Sequence, residues 1–214
     1  MSVLKRLWVA LVLPLALAAC GAEPVWAPDE AVQRARYVSG EPPSITLYTV
    51  VRKRGGEGAH SGLMIDASQR VLFDPAGTWH HPWVPERNDL HYGITEQMRK
   101  FYIDYHARET YDVVEQKVYV SPEVAEAALR RAESYGAAPK AFCGRSVSDV
   151  LSGLPGFESI PRTFFPNTLR KAFSELPGVQ TRTYEDGDPD NNHGVLLVQK
   201  SQAAELAAAG AGGS

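Results

Sequence analysis

At 214 residues, with a formal net charge of -3 and basic and acidic side chains interspersed, the chain carries no electrostatic footprint for nucleic acid. It also lacks the Gly-rich patterns that cradle phosphate. After an apolar leader about 190 residues remain, enough for one domain with a substantial core and too few for two.

Lys5 and Arg6 place positive charge ahead of an apolar run over residues 7–17, and Leu17-Ala18-Ala19-Cys20 supplies the small residues of a processing site. The run falls short of the ~20 residues a spanning helix needs, so residues 1–19 read as an export signal. Its end resembles the lipobox of bacterial lipoproteins. That resemblance implies cleavage before Cys20, diacylglycerol on its sulfur and fatty acyl chains such as palmitate in the membrane. An ordinary secretory signal that happens to precede a cysteine is the alternative. Because Gly21, not Asp, follows the cysteine, the resemblance further implies a lipid-anchored protein of the bacterial cell envelope, on the periplasmic face of the outer membrane.

Residues 20–43 are rich in Pro and Ala without a sustained period and read as a tether to a domain over 44–200. Residues 45–53 are β-rich and end at a Gly-rich turn. Strands over 60–65 and 70–74 follow, making a three-strand meander. A two- or three-residue loop between the second and third strands sets His60 opposite or one step diagonal to Asp74. In the three-residue register the two side chains share a face.

Residues 77–93 carry Trp79, His80, His81, Trp83 and His91 among prolines, too Pro-rich for regular structure. They read either as a lid or as a loop whose tryptophans cover the core. Trp79 and Trp83 are the candidates for an apolar substrate wall. A helix over 95–105 and a strand over 112–120 come next. Ser121-Pro122-Glu123 then caps a helix to Tyr135 that ends at Gly136, with Val124, Ala125, Ala128, Leu129 and Ala132 on its buried stripe.

Cys143 opens a further helix in which Val147, Val150, Leu151 and Leu154 recur on one inward face. If Cys143 is the cap, Phe142 and Val147 can form a hydrophobic staple. The free N–H groups of the first turn, the positive end of the helix dipole and Arg145 would lower the thiol pKa and stabilise an oxyanion. With Cys20 lipidated, Cys143 has no partner within the chain, so it is either buried packing or a reactive thiol. A helix over 167–176 and a hairpin of residues 181–184 with 194–199 complete the domain. The tail over 201–214 reads as disordered.

A histidine strand, a following strand ending in a polar residue, and then a helix opened by cysteine resemble the circularly permuted branch of the NlpC-type papain-like superfamily, to which the lecithin:retinol acyltransferase-like proteins belong. The resemblance implies an α+β fold, an antiparallel sheet with packed helices in permuted papain-like architecture. It also implies His60 as general base, Cys143 as nucleophile and Asp74 as the group orienting the imidazole. The family's third position is more often His, and Phe142 stands where acyltransferase-like members often have Asn.

The resulting expectation is a membrane-anchored thiol hydrolase or acyltransferase acting on an amide, peptide, ester or thioester through a Cys-His acyl-enzyme, with Arg145 in substrate binding and no metal or other cofactor. The alternative is a non-catalytic envelope lipoprotein that uses the same fold as a binding module. Two minor readings accompany it. His80, His81, His91 and Asp74 could gather a metal, although no recognised ligand spacing occurs. Residues 186–192 alternate oxygen ligands like a calcium loop but lack its glycine and distal Glu.

Overall fold

The computed structural model describes residues 21–211. The expected export signal over 1–19, the expected lipidation site Cys20 and the last three residues lie outside them. One seven-stranded antiparallel sheet organises the chain, in the order β4-β5-β3-β2-β1-β6-β7. Its strands are β1 (Ser44–Arg52), β2 (Gly58–Asp66), β3 (Arg70–Phe73), β4 (Glu86–Arg87), β5 (Leu90–Tyr92), β6 (Tyr111–Tyr119) and β7 (Gln180–Tyr184). Among the described residues six helices accompany it: α1 (Asp29–Ala35), α2 (Glu96–His106), α3 (Pro122–Tyr135), α4 (Cys143–Leu151), α5 (Pro166–Ser174) and α6 (Asn192–Ala211). The class is therefore α+β with an antiparallel sheet, as the sequence suggests. Among the described residues no helix is long and apolar enough to cross a membrane.

The β1–β2–β3 meander forms because β-branched residues alternate with smaller or polar ones, which suits a sheet covered differently on its two faces. Ile45 and Leu47 of β1, Leu63 and Ile65 of β2, Val71 and Phe73 of β3 and Val118 of β6 point to one face, where α3, α4 and α5 bury them. Tyr48, Met64, Leu72 and Val113 point to the other, under α2, α6 and the loop of Trp79. Each large apolar side chain so buried contributes about 1.5–3 kcal/mol. β6 returns to pair along the whole length of β1, so β1 is paired on both edges and lies inside the sheet.

Helix ends follow the local chemistry. Thr95 caps α2 by accepting from the Met98 N–H at 3.2 Å, and Ser121 caps α3 by accepting from that of Val124 at 3.4 Å. Gly136 ends α3 with φ of 87°, a conformation that favours glycine.

Four expectations change. The stretch expected as a tether is docked: it contains α1, its Val25 and Tyr37 carbonyls accept from the N–H groups of Asn88 and Arg70, and Ala27 donates to Glu86. Its prolines break periodicity without preventing backbone pairing. Within residues 77–93, Asn88 and Asp89 take φ of 48° and 65° and turn β4 into β5, which extends the sheet edge. Residues 194–199 are helical in α6 rather than a hairpin strand, and β7 pairs with β6 instead. A short apolar run such as Val195-Leu196-Leu197-Val198 fits either element by periodicity. The expected disordered tail continues α6 to Ala211.

Candidate functional site

The loop joining β2 and β3 has three residues, since Asp66 pairs with Arg70 and Leu63 with Phe73. Extending that register one step puts Asp74 across from Gly62 and diagonal to His60, on the same face. The side chains meet there, with His60 Nε2 2.7 Å from Asp74 Oδ1. β3 stops at Phe73, so the backbone of β2 from Gly62 back to His60 has no strand on that side. Into this gap comes the start of α4. The Cys143 thiol faces the His60 imidazole and the N–H groups of Ser61 and Gly144. With Nε2 turned to Asp74, Nδ1 is the His60 nitrogen left for the sulfur.

Cys143 opens α4 as expected, as its first helical residue and not as its cap, preceded by Phe142 as N-cap and by Ala141 at φ of 67°. The staple is absent, because the Phe142 ring packs edge-on against Phe164 at 5.0 Å. Gly144 lets this turn approach the neighbouring loop: a Cβ there would sit 2.8 Å from the Phe164 carbonyl oxygen. Asp89 ties the two halves of the site together. Its Oδ2 accepts from Ala138 N at 2.7 Å, just before the cysteine, and from Ala76 N at 3.3 Å, just after Asp74.

The electrostatics make one coupled unit. Burial disfavours an imidazolium at His60, yet the Asp74 carboxylate and the thiol lift its pKa to about 10. Burial likewise opposes ionisation of Asp74, but His60, followed by His106 and His91, holds that carboxyl far below the usual range. Burial pushes the Cys143 thiol up, and hydrogen bonding and charge from His60, with the Ser61 and Gly144 N–H groups, more than reverse this and lower it.

Two residues of the site were not anticipated. Tyr102 donates its hydroxyl to Asp74 Oδ1 at 2.8 Å, and burial followed by the Asp74 charge keeps that phenol protonated. It is held edge-on by Tyr48 and Trp79 at 5.5 and 5.6 Å. His106, one turn along α2, lies parallel to His60 with centroids 5.6 Å apart and donates Nδ1–H to the Tyr102 carbonyl at 2.8 Å. Burial keeps it neutral, with its pKa pulled down to about 4. The i, i+4 spacing of Tyr102 and His106 on α2 was visible in the sequence. Nothing local showed that this face would land on Asp74.

The expected substrate contacts fare differently. Trp79 is 2 % exposed and works as core, so it forms no open wall; Trp83 is 43 % exposed and lines a hollow with Ala31, Arg34, Ala35, Pro82 and Pro85. The loop of residues 77–93 therefore acts as a cover, with Trp79, His81, Val84, Leu90 and His91 all buried. Arg145 donates Nε–H to Asp149 at 2.9 Å and stacks over Phe164, so its charge is spent along the helix.

Among the described residues, His80, His81, His91 and Asp74 do not converge on a shared ligand position. His60, Asp74 and His106 do offer ligand atoms within 4.8 Å of one another, as do Asp104, Asp186 and Asp188. In the second group Arg108 bonds Asp104 at 2.9 Å and Asp188 at 3.5 Å, supplying a cation from the protein itself. The chain matches no family model, no curated protein and no solved structure.

Proposed function

We propose that the protein is a cysteine hydrolase or acyltransferase working through a Cys143 acyl-enzyme, in the manner of the permuted NlpC-type papain-like proteins it resembles. The carrying observation is the relay itself: a lowered thiol at the start of α4, an imidazole raised by a buried carboxylate, and that carboxylate held by Tyr102. These groups come from four separate elements, and packing alone does not call for their convergence.

In this reading the Cys143 thiolate attacks a carbonyl carbon, forming the C–S bond while the carbonyl electrons move onto oxygen. The free N–H groups of the first turn of α4 are the nearest fixed donors for that charge. His60 passes its proton to the leaving group as the bond from carbon to that group breaks. Water or another nucleophile then attacks the thioester, His60 takes its proton, and the C–S bond breaks to restore the thiolate. Asp74 fixes the ring with Nδ1 toward sulfur and stabilises the imidazolium. Substrates are a carbonyl compound of the amide, peptide, ester or thioester class. Through Cys20 the enzyme is anchored in the bacterial envelope.

The test is the pH dependence of Cys143 alkylation in Cys20→Ser protein, with and without His60→Ala. The expected result is fast reaction near neutrality that slows by roughly 10²-fold without the imidazole. Equal, slow reaction in both chains would sink the catalytic reading and favour a binding module.

A further inference from the structure

Three phenylalanines surround Cys143 and remain open to solvent: Phe142 at 37 %, Phe164 at 46 % and Phe165 at 71 % exposure. Phe142 directly precedes the cysteine, and the Phe164 backbone closes on Gly144 from the other side, so these two rings form the rim of the site, with Phe165 next along the chain. Phe157 and Phe173, close by in sequence, are fully packed in the core. Exposed aromatic groups of this kind mark an interaction surface.

The chain enters the fold at the same place. Glu23 Oε1 is 3.3 Å from the ammonium of Lys140, three residues before Cys143. Residue 20 lies at most three residues further back, roughly 10 Å of extended chain. The segment before it is the apolar run of residues 7–17. The residues around the rim also carry cations. Residues 138–171 hold five Lys and Arg against two carboxylates; Lys140 pairs with Glu23, and Arg145 and Arg162 share Asp149, which still leaves a surplus of positive charge there in a chain whose formal net charge is -3.

From the exposed rings, the point of chain entry and the local positive charge, we infer that Phe142, Phe164 and Phe165 dock into the surface of a lipid bilayer bearing anionic headgroups. Aromatic rings favour the headgroup region, and nearby Lys and Arg add attraction to anionic lipid. The docked orientation presents the Cys143 mouth to the membrane plane. Resting on the catalytic reading, the substrate is then a carbonyl carried at the bilayer surface rather than one free in solution.

The test uses the full chain, leader included, in a Cys20→Ser and Cys143→Ser background, reconstituted into vesicles of phosphatidylethanolamine and phosphatidylglycerol. Single nitroxides are attached through Phe165→Cys, Phe142→Cys or, as a control on the remote β7 edge, Thr181→Cys. Circular dichroism verifies the fold of each. Labels at 165 and 142 are expected to be relaxed more by oxygen than by a water-soluble nickel chelate, and the label at 181 the reverse. Labels at 165 and 142 as aqueous as that at 181, the outcome for a rim that receives a soluble peptide, would overturn the assignment. Cys143 is absent from these proteins, so the result is independent of the alkylation experiment.

Discussion

The two faces of the sheet are built from different materials and do different work. Under α3, α4 and α5 the side chains are mostly aliphatic, joined by Phe73, Tyr92, Phe157 and Phe173, and interlock with few polar groups among them. Under α2 and α6 they are aromatic, sulfur-bearing and polar, with Tyr102, His106, Asp74 and His91 sharing the interior with Trp79 and Tyr48. The first face holds the helix that brings the thiol; the second holds the base and the carboxylate. They meet only where β3 ends and the edge of β2 is uncovered. Stability and reactivity should therefore respond to different substitutions.

The sharpest way to break that division is a deletion in the aliphatic face. Leu47→Ala, at a fully buried position of β1, a strand paired on both edges, is expected to cost about 3 kcal/mol in urea unfolding. Cys143 alkylation in the folded protein should stay within about threefold of the parent. A matching loss of reactivity would show that the faces are not separable.

Asp74→Asn probes the other side. Without the carboxylate, burial acts on His60 opposed only by the thiol and its pKa falls, so neutral-pH alkylation should slow by roughly 10²-fold. The stability deficit of this variant has a defined pH window. Asp74 is depressed, so its contribution is present above the usual carboxylate range and fades as pH falls through its folded value. His60 is raised, so its contribution is complete below about 6.5 and fades as pH rises through about 10. Unfolding of parent and variant across pH should show a gap that narrows at both ends.

Tyr102→Phe removes one donor to Asp74 and should cost about 1 kcal/mol while lowering alkylation by roughly tenfold, an effect on reactivity larger than its stability cost implies. The smallest expected effect is Ser121→Ala at the cap of α3, about 1 kcal/mol of stability with no change in the thiol.

Much of this division was legible beforehand. Alternation in 45–53, 60–65 and 70–74 defined the meander, and of the two loop lengths it left open the three-residue one is found, which sets His60 on the face of Asp74. The cap and stripe of α3 were equally plain, because Ser-Pro-Glu and a terminal glycine are local signals. What stayed hidden was decided by tertiary packing. β4 and β5 are two and three residues long and depend on the Asn88-Asp89 turn and the docked N-terminal segment. Tyr102 and His106 reach the site through the seating of α2, which their own sequence does not specify. Trp79 seemed suited to an open wall, but its indole N–H finds Gln199 at 3.3 Å, a partner supplied by a helix expected as a strand.

The hydroxyl of Tyr102 occupies the volume in which any side chain at position 62 would begin. The glycine cannot vary while the phenol is in place: alanine at 62 evicts the phenol from its carboxylate, and only a partner trimmed of its oxygen, as in Gly62→Ala with Tyr102→Phe, relieves that clash. Lineages that lose the tyrosine are thereby released to abandon the glycine as well. Change at the two positions should therefore be ordered, with loss of the tyrosine coming before loss of the glycine.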